Sequence, residues 1–202
     1  MSLMKLTPVT LDLNLAQTGP STRSSGLHVS DIYNDLYKTL QPSRYAKKCL
    51  FTPTTPNEED FDPMMVGLGL AWETHLEKVL HAAGVKAERP GEFTTAEGIP
   101  FTPDLLVDNG HTATGEIKFT RYKMGDYRDE KFAKWITQMK TYCYHLGTPY
   151  ARLFALHLNG DYRTHRDPTL VITDFEFTAT ELKREWAMLL SHARQQRLLS
   201  WT

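Results

Sequence analysis

The chain has 202 residues, 41% of them hydrophobic, which is ample for one cored domain and thin for two. No apolar run approaches the ~20 residues that span a bilayer, so a membrane protein of the helical kind is excluded. A net charge of −1 decides nothing about nucleic acid, and the distribution of charge has to do so instead.

Residues 1–26 end in a Ser/Thr/Gly/Pro-rich stretch and read as an N-terminal arm, with 27–202 as a single domain. The arm lacks a basic start, a long apolar centre and a small-residue cleavage site, so the cytoplasm is the expected compartment. "HVSDIYNDLYKTLQ" predicts a short helix capped by Ser30 and ended by Pro42. "TPTTPNEEDFDP" (52–63) is a Pro-punctuated acidic loop. The next stretch, "MMVGLGLAWETHLEKVLHAAG", repeats Met65, Leu68, Trp72, Leu76, Val79 and Leu80 at helical spacing and stops at Gly84.

From residue 85 the period shortens. "EFTTAEGIPFTPDLLVDNGHTATGEIKF" is rich in Thr, Phe, Val and Ile and is broken at Glu97-Gly98 and Asn109-Gly110, which predicts three strands. "DEKFAKWITQMKTYCYHLG" returns to helical spacing, with Trp135, Met139 and Cys143 or Leu146 on one side. Two strands follow, "YARLFALHL" and "TLVITDFEF", then a helix that Thr178 and Glu181 open as a capping box. The order predicts an α/β fold with a central mixed β-sheet flanked by α-helices. Cys49 and Cys143 have no C-x-x-C spacing, and the expected state is two free thiols in a reducing compartment.

Alternate side chains of a strand share a face, so Glu116 and Lys118 point one way and Ile117 points the other. With Asp104 on the neighbouring strand, two acids and a lysine converge on one patch. That arrangement is costly unless something needs it, and a hard divalent cation such as Mg²⁺ or Mn²⁺ is the usual reason. Asp104 and Glu116 would supply carboxylate oxygens and Ile117 its main-chain carbonyl. Lys118 would orient or deprotonate the attacking water, or offset charge on phosphorus. Taken alone, Glu-x-Lys is common on solvated strands; the Pro103-Asp104 step at hairpin distance is what lifts it above that reading.

Parity constrains this site. A two-residue turn on Asn109-Gly110 pairs Asp104 with Gly115 and sends Glu116 to the opposite face. The site therefore requires an odd loop or a bulge. A three-residue loop, Asp108-Asn109-Gly110 with Gly110 in the left-handed conformation, restores the parity; a loop centred instead on Gly110, with Asp108 opposite Thr112, sets Asp104 directly across from Glu116.

Two helical features add to it. Glu73 lies four residues after Gly69, whose missing side chain would allow a close approach to another element or a ligand, so Glu73 could close the metal site; Glu77 is the competing choice. Gln138 and Tyr142 also stand i, i+4, and Lys134 extends their stripe. An amide and a phenol suit phosphate, sugar and base contacts, while the competing reading is a helix boundary between core and water.

Gly69-x-x-x-Glu73, Pro103-Asp104, Glu116-x-Lys118 and Gln138-x-x-x-Tyr142, in that order, resemble the PD-(D/E)XK nuclease superfamily and specifically its RecB-like exonuclease branch. The resemblance covers roughly residues 65–146. It implies a restriction-endonuclease-like core, metal ligation by Glu73, Asp104 and Glu116, and water activation by Lys118. Gln138 and Tyr142 would hold a DNA strand. The iron–sulfur cysteines of some members are absent, so no cluster is expected. No helicase motif is present, so any helicase, annealing or recombination partner is a separate chain.

Lys118, Arg121, Lys123, Arg128, Lys131 and Lys134, interleaved with Tyr122 and Tyr127, form a candidate DNA-tracking groove diluted by Asp126, Asp129 and Glu130. The eight histidines show no metal-ligand spacing, and His75, His111 and His145 are expected in surface or core roles. The leading expectation is a Mg²⁺- or Mn²⁺-dependent DNA exonuclease of recombination, repair or phage DNA processing. The alternatives are an endonuclease on the same fold and a catalytically silent nucleic-acid-binding subunit.

Overall fold

The computed structural model describes residues 24–40, 63–108, 110–120, 129–158 and 168–199, with side chains from residue 67 in the second segment and 132 in the fourth. Most of the N-terminal arm, the acidic loop, Pro42, Cys49 and the basic residues 121–128 lie outside them, as do the side chains of Met65 and Lys131.

Helix α1 (Val29–Leu40) begins one residue before the expected cap. Ser30 is inside it, and the Asp31 carboxylate closes the end by accepting the His28 backbone N–H at 2.8 Å. Helix α2 (Pro63–Ala82) ends ahead of Gly84, whose φ of +75° is one that glycine adopts without strain. Its inward stripe is Trp72, Leu76 and Leu80, spaced i, i+4, i+8. Leu68 and Val79 are exposed, because Val79 lies about 100° off that stripe and Leu68 a turn before it.

Four strands stand where three were expected between residues 92 and 120: β2 (Phe93–Thr94), β3 (Pro100–Phe101), β4 (Leu105–Asp108) and β5 (Thr112–Thr120). The long middle run breaks at Thr102-Pro103-Asp104, where proline has no N–H to give a ladder. A three-residue strand β1 (Lys86–Glu88) precedes them. Helix α3 (Asp129–Leu146), strands β6 (Tyr150–His157) and β7 (Thr169–Glu176), and helix α4 (Ala179–Gln195) complete the chain. Thr178 and Glu181 form the expected capping box on α4.

The main sheet is mixed, in the order β1-β4-β5-β6-β7, and only β5 and β6 run parallel. On one face α2 covers Ala87, Leu105, Val107, Ile117 and Phe154. On the other, α3 and α4 cover Ala151, Leu153 and Ala155 through Trp135, Met139, Cys143 and Leu182. Helix α1 packs outside α3 and α4, where Val29, Ile32 and Tyr33 meet Tyr142, Trp186 and Leu189. The sheet is thus flanked by helices on both faces, the α/β architecture that the element order predicts. Cys143 is a buried free thiol. Among the described residues, no helix is long and apolar enough to cross a membrane.

Candidate functional site

The hairpin between β4 and β5 settles the parity. Asp108 pairs with Thr112, so three residues intervene, and Gly110 at φ +86° takes the left-handed position. The Asp108 side chain accepts the Gly110 N–H at 3.2 Å and tightens the turn. Leu105 then pairs with Gly115, and one step further Asp104 comes opposite Glu116. Gly115 is required by packing. A Cβ there would sit 2.9 Å from the Leu105 Cβ and 3.2 Å from a Val107 methyl.

Because β4 starts only at Leu105, the edge of β5 opens beyond Glu116. Asp104 fills the opening: its Oδ2 accepts the Ile117 backbone N–H at 2.8 Å. Ile117 points away from Glu116 and Lys118, as expected, into the core under α2 with Leu105, while Glu116 and Lys118 face α3. There Gln138 joins them. Its Nε2 donates to Glu116 Oε2 at 2.8 Å and to the Tyr142 hydroxyl at 3.2 Å, and its Oε1 accepts from Lys118 Nζ at 3.2 Å. Lys118 Nζ also pairs with Glu116 Oε1.

Glu116 is 1% exposed, and removal from water together with the neighbouring Asp104 charge pushes its carboxyl up to about 8. Burial and Asp104 likewise raise Glu73 to about 7, and burial raises Asp104. Burial works against the Lys118 ammonium, but Glu116, Asp104 and Glu73 outweigh it and raise Lys118. The group holds a surplus of carboxylates over cations, and it responds by keeping protons.

Stability follows from the sign of these shifts. The folded protein holds a proton on Glu116 and Glu73 over a range where the unfolded chain, with ordinary glutamates, does not. Their contribution is therefore present below the ordinary glutamate value and lost as pH rises through about 7 to 8. Chemical unfolding of metal-free protein should show stability falling between pH 5 and pH 8.5. Glu116→Gln should flatten that fall, and an equally steep fall in the variant would remove Glu116 as its source.

Three findings amend the expected roles. Gln138 and Tyr142 are buried, and both amide hydrogens of Gln138 are already donated to Glu116 and Tyr142. The Tyr142 ring stacks on Phe101 at 5.6 Å, so it is not presented to a base. Among the described residues Gly69 brings no element close, since a Cβ there would meet nothing within 4 Å. Glu73 is electrostatically coupled to Asp104 and Lys118, yet its carboxylate faces Arg89 at 3.5 Å, whose Nε also holds Glu77 at 3.0 Å.

Among the described residues, no three His, Cys, Asp or Glu side chains stand close enough together to hold a metal ion. Two carboxylates, Asp104 and Glu116, do meet, and Mg²⁺ sites commonly take only one or two carboxylates, completing the shell with water and phosphate oxygens. The donor chemistry fits a hard divalent cation at that pair.

Lys134 is half-buried with its Nζ 5.7 Å from the Tyr33 ring centroid, and Arg121 lies outside the described residues. His75 lies beside Trp72, His111 stacks on Tyr150, and His145 packs between Phe101 and Trp186. Two residues at the site were not singled out from the sequence: Arg89 and Tyr33. Arg89 follows a strand too short to recognise. Tyr33 reads as one more apolar position of an amphipathic helix.

No family model and no curated protein matches the chain. Solved structures do. An alkaline exonuclease from Laribacter hongkongensis aligns at 15% identity over 85% of this chain and 89% of that one, with a TM-score of 0.49. A phage-related exonuclease from Haemophilus somnus 129PT aligns at 14% identity over 86% and 93%, TM-score 0.49. SSO0001 aligns at 13% identity over 89% and 81%, TM-score 0.46. At this distance the reading of the site rests on its own residues.

Proposed function

We propose that the protein is a Mg²⁺- or Mn²⁺-dependent deoxyribonuclease that hydrolyses phosphodiester bonds at Asp104, Glu116 and Lys118. The observation that carries this reading is the convergence of the three. Asp104 stands across from Glu116 on a hairpin with an odd loop, and Lys118 projects from the same face into contact with Glu116. Burying two carboxylates together is expensive, and the cost has a purpose if they exist to take up positive charge.

A divalent cation bound at the pair would supply Lewis-acid polarisation of the scissile phosphate. The chain's own residues do the rest. Lys118, held as an ammonium by the carboxylates, donates a hydrogen bond to the attacking water or to a phosphoryl oxygen as charge builds on it; this favours orientation over proton abstraction. Gln138 fixes the Glu116 carboxylate and Lys118 Nζ relative to each other. Glu73 lies at the rim, where exchange of Arg89 for another cation would draw it in.

We take the action to be exonucleolytic, as the resemblance in the Gln138-x-x-x-Tyr142 element implies, with DNA as the bound partner. Incubation with end-labelled linear duplex and covalently closed circular DNA in Mg²⁺ tests both points. The linear DNA should be shortened from its ends and the circle spared. Nicking of the circle would turn the reading to the endonuclease alternative, and inertness toward both to the silent binding subunit.

A further inference from the structure

Arg89 follows the short edge strand β1, and the strand register sets it beside the site. Glu88 pairs with Leu106, so the next step brings Arg89 opposite Leu105, the neighbour of Asp104. Ala87 packs under α2, and Arg89, two residues on, shares that face. There it meets two glutamates one turn apart on α2. Its Nε donates to Glu77 Oε2 at 3.0 Å, while its Nη1 reaches Glu73 Oε2 at 3.5 Å. The first is an ordinary hydrogen bond and the second lies at the outer limit of one. Glu77 is the anchor, and Glu73 is the loose partner. A guanidinium carries five N–H donors, and these contacts engage two of them. The side chain is 40% exposed, and the other three donors meet no acceptor among the described residues.

We propose that Arg89 is a DNA-phosphate-binding residue of the proposed active site, aimed by Glu77 and freed from Glu73 when a divalent cation takes that carboxylate. An anchored, partly exposed guanidinium with donors to spare presents the fork that phosphate oxygens accept. In the absence of the cation, Glu73 and Glu77 together offset the Arg89 charge, and the corner has no attraction for phosphate. With the cation bound, Glu73 is engaged elsewhere and Arg89 keeps one carboxylate instead of two. The catalytic consequence rests on the nuclease reading, whereas the phosphate contact requires only that the protein bind DNA.

Arg89→Gln removes the charge and keeps an N–H donor for Glu77. Binding of a labelled DNA duplex is measured over a range of NaCl concentrations, once in Ca²⁺ and once in EDTA. Ca²⁺ takes oxygen ligands as Mg²⁺ does, but its looser shell places water and phosphate poorly for hydrolysis. In Ca²⁺ the slope of log affinity against log salt should be shallower by about 1 in the variant, the share of one phosphate contact. In EDTA the slopes of wild type and variant should coincide. Arg89→Lys keeps the charge and should retain the wild-type slope in Ca²⁺. A slope that Arg89→Gln leaves unmoved in Ca²⁺ overturns the proposal. So does an equal change in Ca²⁺ and EDTA, which marks a general surface charge, or an equal loss in Arg89→Lys. If the slope moves in Ca²⁺ alone while wild type leaves DNA intact in Mg²⁺, the nuclease reading falls and the phosphate contact stands. Wild type that binds no DNA removes both.

Discussion

Lys118→Ala is expected to lower the rate of DNA cleavage about 1,000-fold, the loss seen when a preorganised donor to developing charge is removed. Among the described residues, Lys118 is the ammonium placed against Glu116 on the α3 face of β5, and Gln138 Oε1 is directed at it. DNA affinity should stay within a few-fold, since a single cation among several backbone contacts contributes little to binding. The fold should survive too, because Lys118 is partly exposed and the apolar core lies on either side of it. Comparison of single-turnover rates and filter-binding curves for wild type and variant checks this. An unchanged rate would return the protein to the class of silent binding subunits.

Gly115→Ala is expected to destabilise the fold by about 1–3 kcal/mol, the range for forcing an atom into a packed core. The added methyl would meet the Leu105 Cβ at 2.9 Å and a Val107 methyl at 3.2 Å, and neither is the free end of a long side chain. The strain has one outlet, a wider gap between β4 and β5. That gap would carry Asp104 away from the Ile117 N–H and from Glu116, so activity should fall along with stability. Denaturant unfolding and the cleavage assay on one preparation test the linkage. Full stability in Gly115→Ala would mean that the two strands are not as tightly apposed as described.

The parts of this molecule that were legible in the sequence are those set by short spacings. Glu116 and Lys118 share a face because a strand has a period of two, and Gln138 and Tyr142 because a helix nearly repeats every four. The need for an odd loop or a bulge was legible through the same arithmetic, and the chain takes the form with Asp108 opposite Thr112, which brings Asp104 across from Glu116. The capping box at Thr178 announces itself over three residues.

What was not legible depends on contacts far apart in the chain or on elements too short to show a period. Strand β1 has three residues and a single buried one, Ala87, so neither it nor Arg89 beyond it could be placed at the site. Tyr33 meets Tyr142 only because α1 docks across α3 and α4, which no local pattern encodes. Gln138 and Tyr142 were legible as a pair but not in their orientation. The sequence suits them to a DNA strand, whereas packing against Phe101 and the pull of Glu116 and Lys118 turn them inward. Val79 shows the same limit on α2, being apolar at helical spacing yet exposed, since the sheet reaches only the stripe through Trp72, Leu76 and Leu80.

If Asp104 and Glu116 are buried together in order to take up a divalent cation for phosphodiester hydrolysis, cleavage must depend on that cation and on both carboxylates. The most direct measurement is cleavage of end-labelled linear DNA by metal-stripped protein, with Mg²⁺ or with EDTA, in wild type and Asp104→Asn side by side. Wild type should degrade the DNA in Mg²⁺ and leave it intact in EDTA, and Asp104→Asn should be inactive in both. Cleavage by wild type that persists in EDTA, or full activity in Asp104→Asn, would contradict the account.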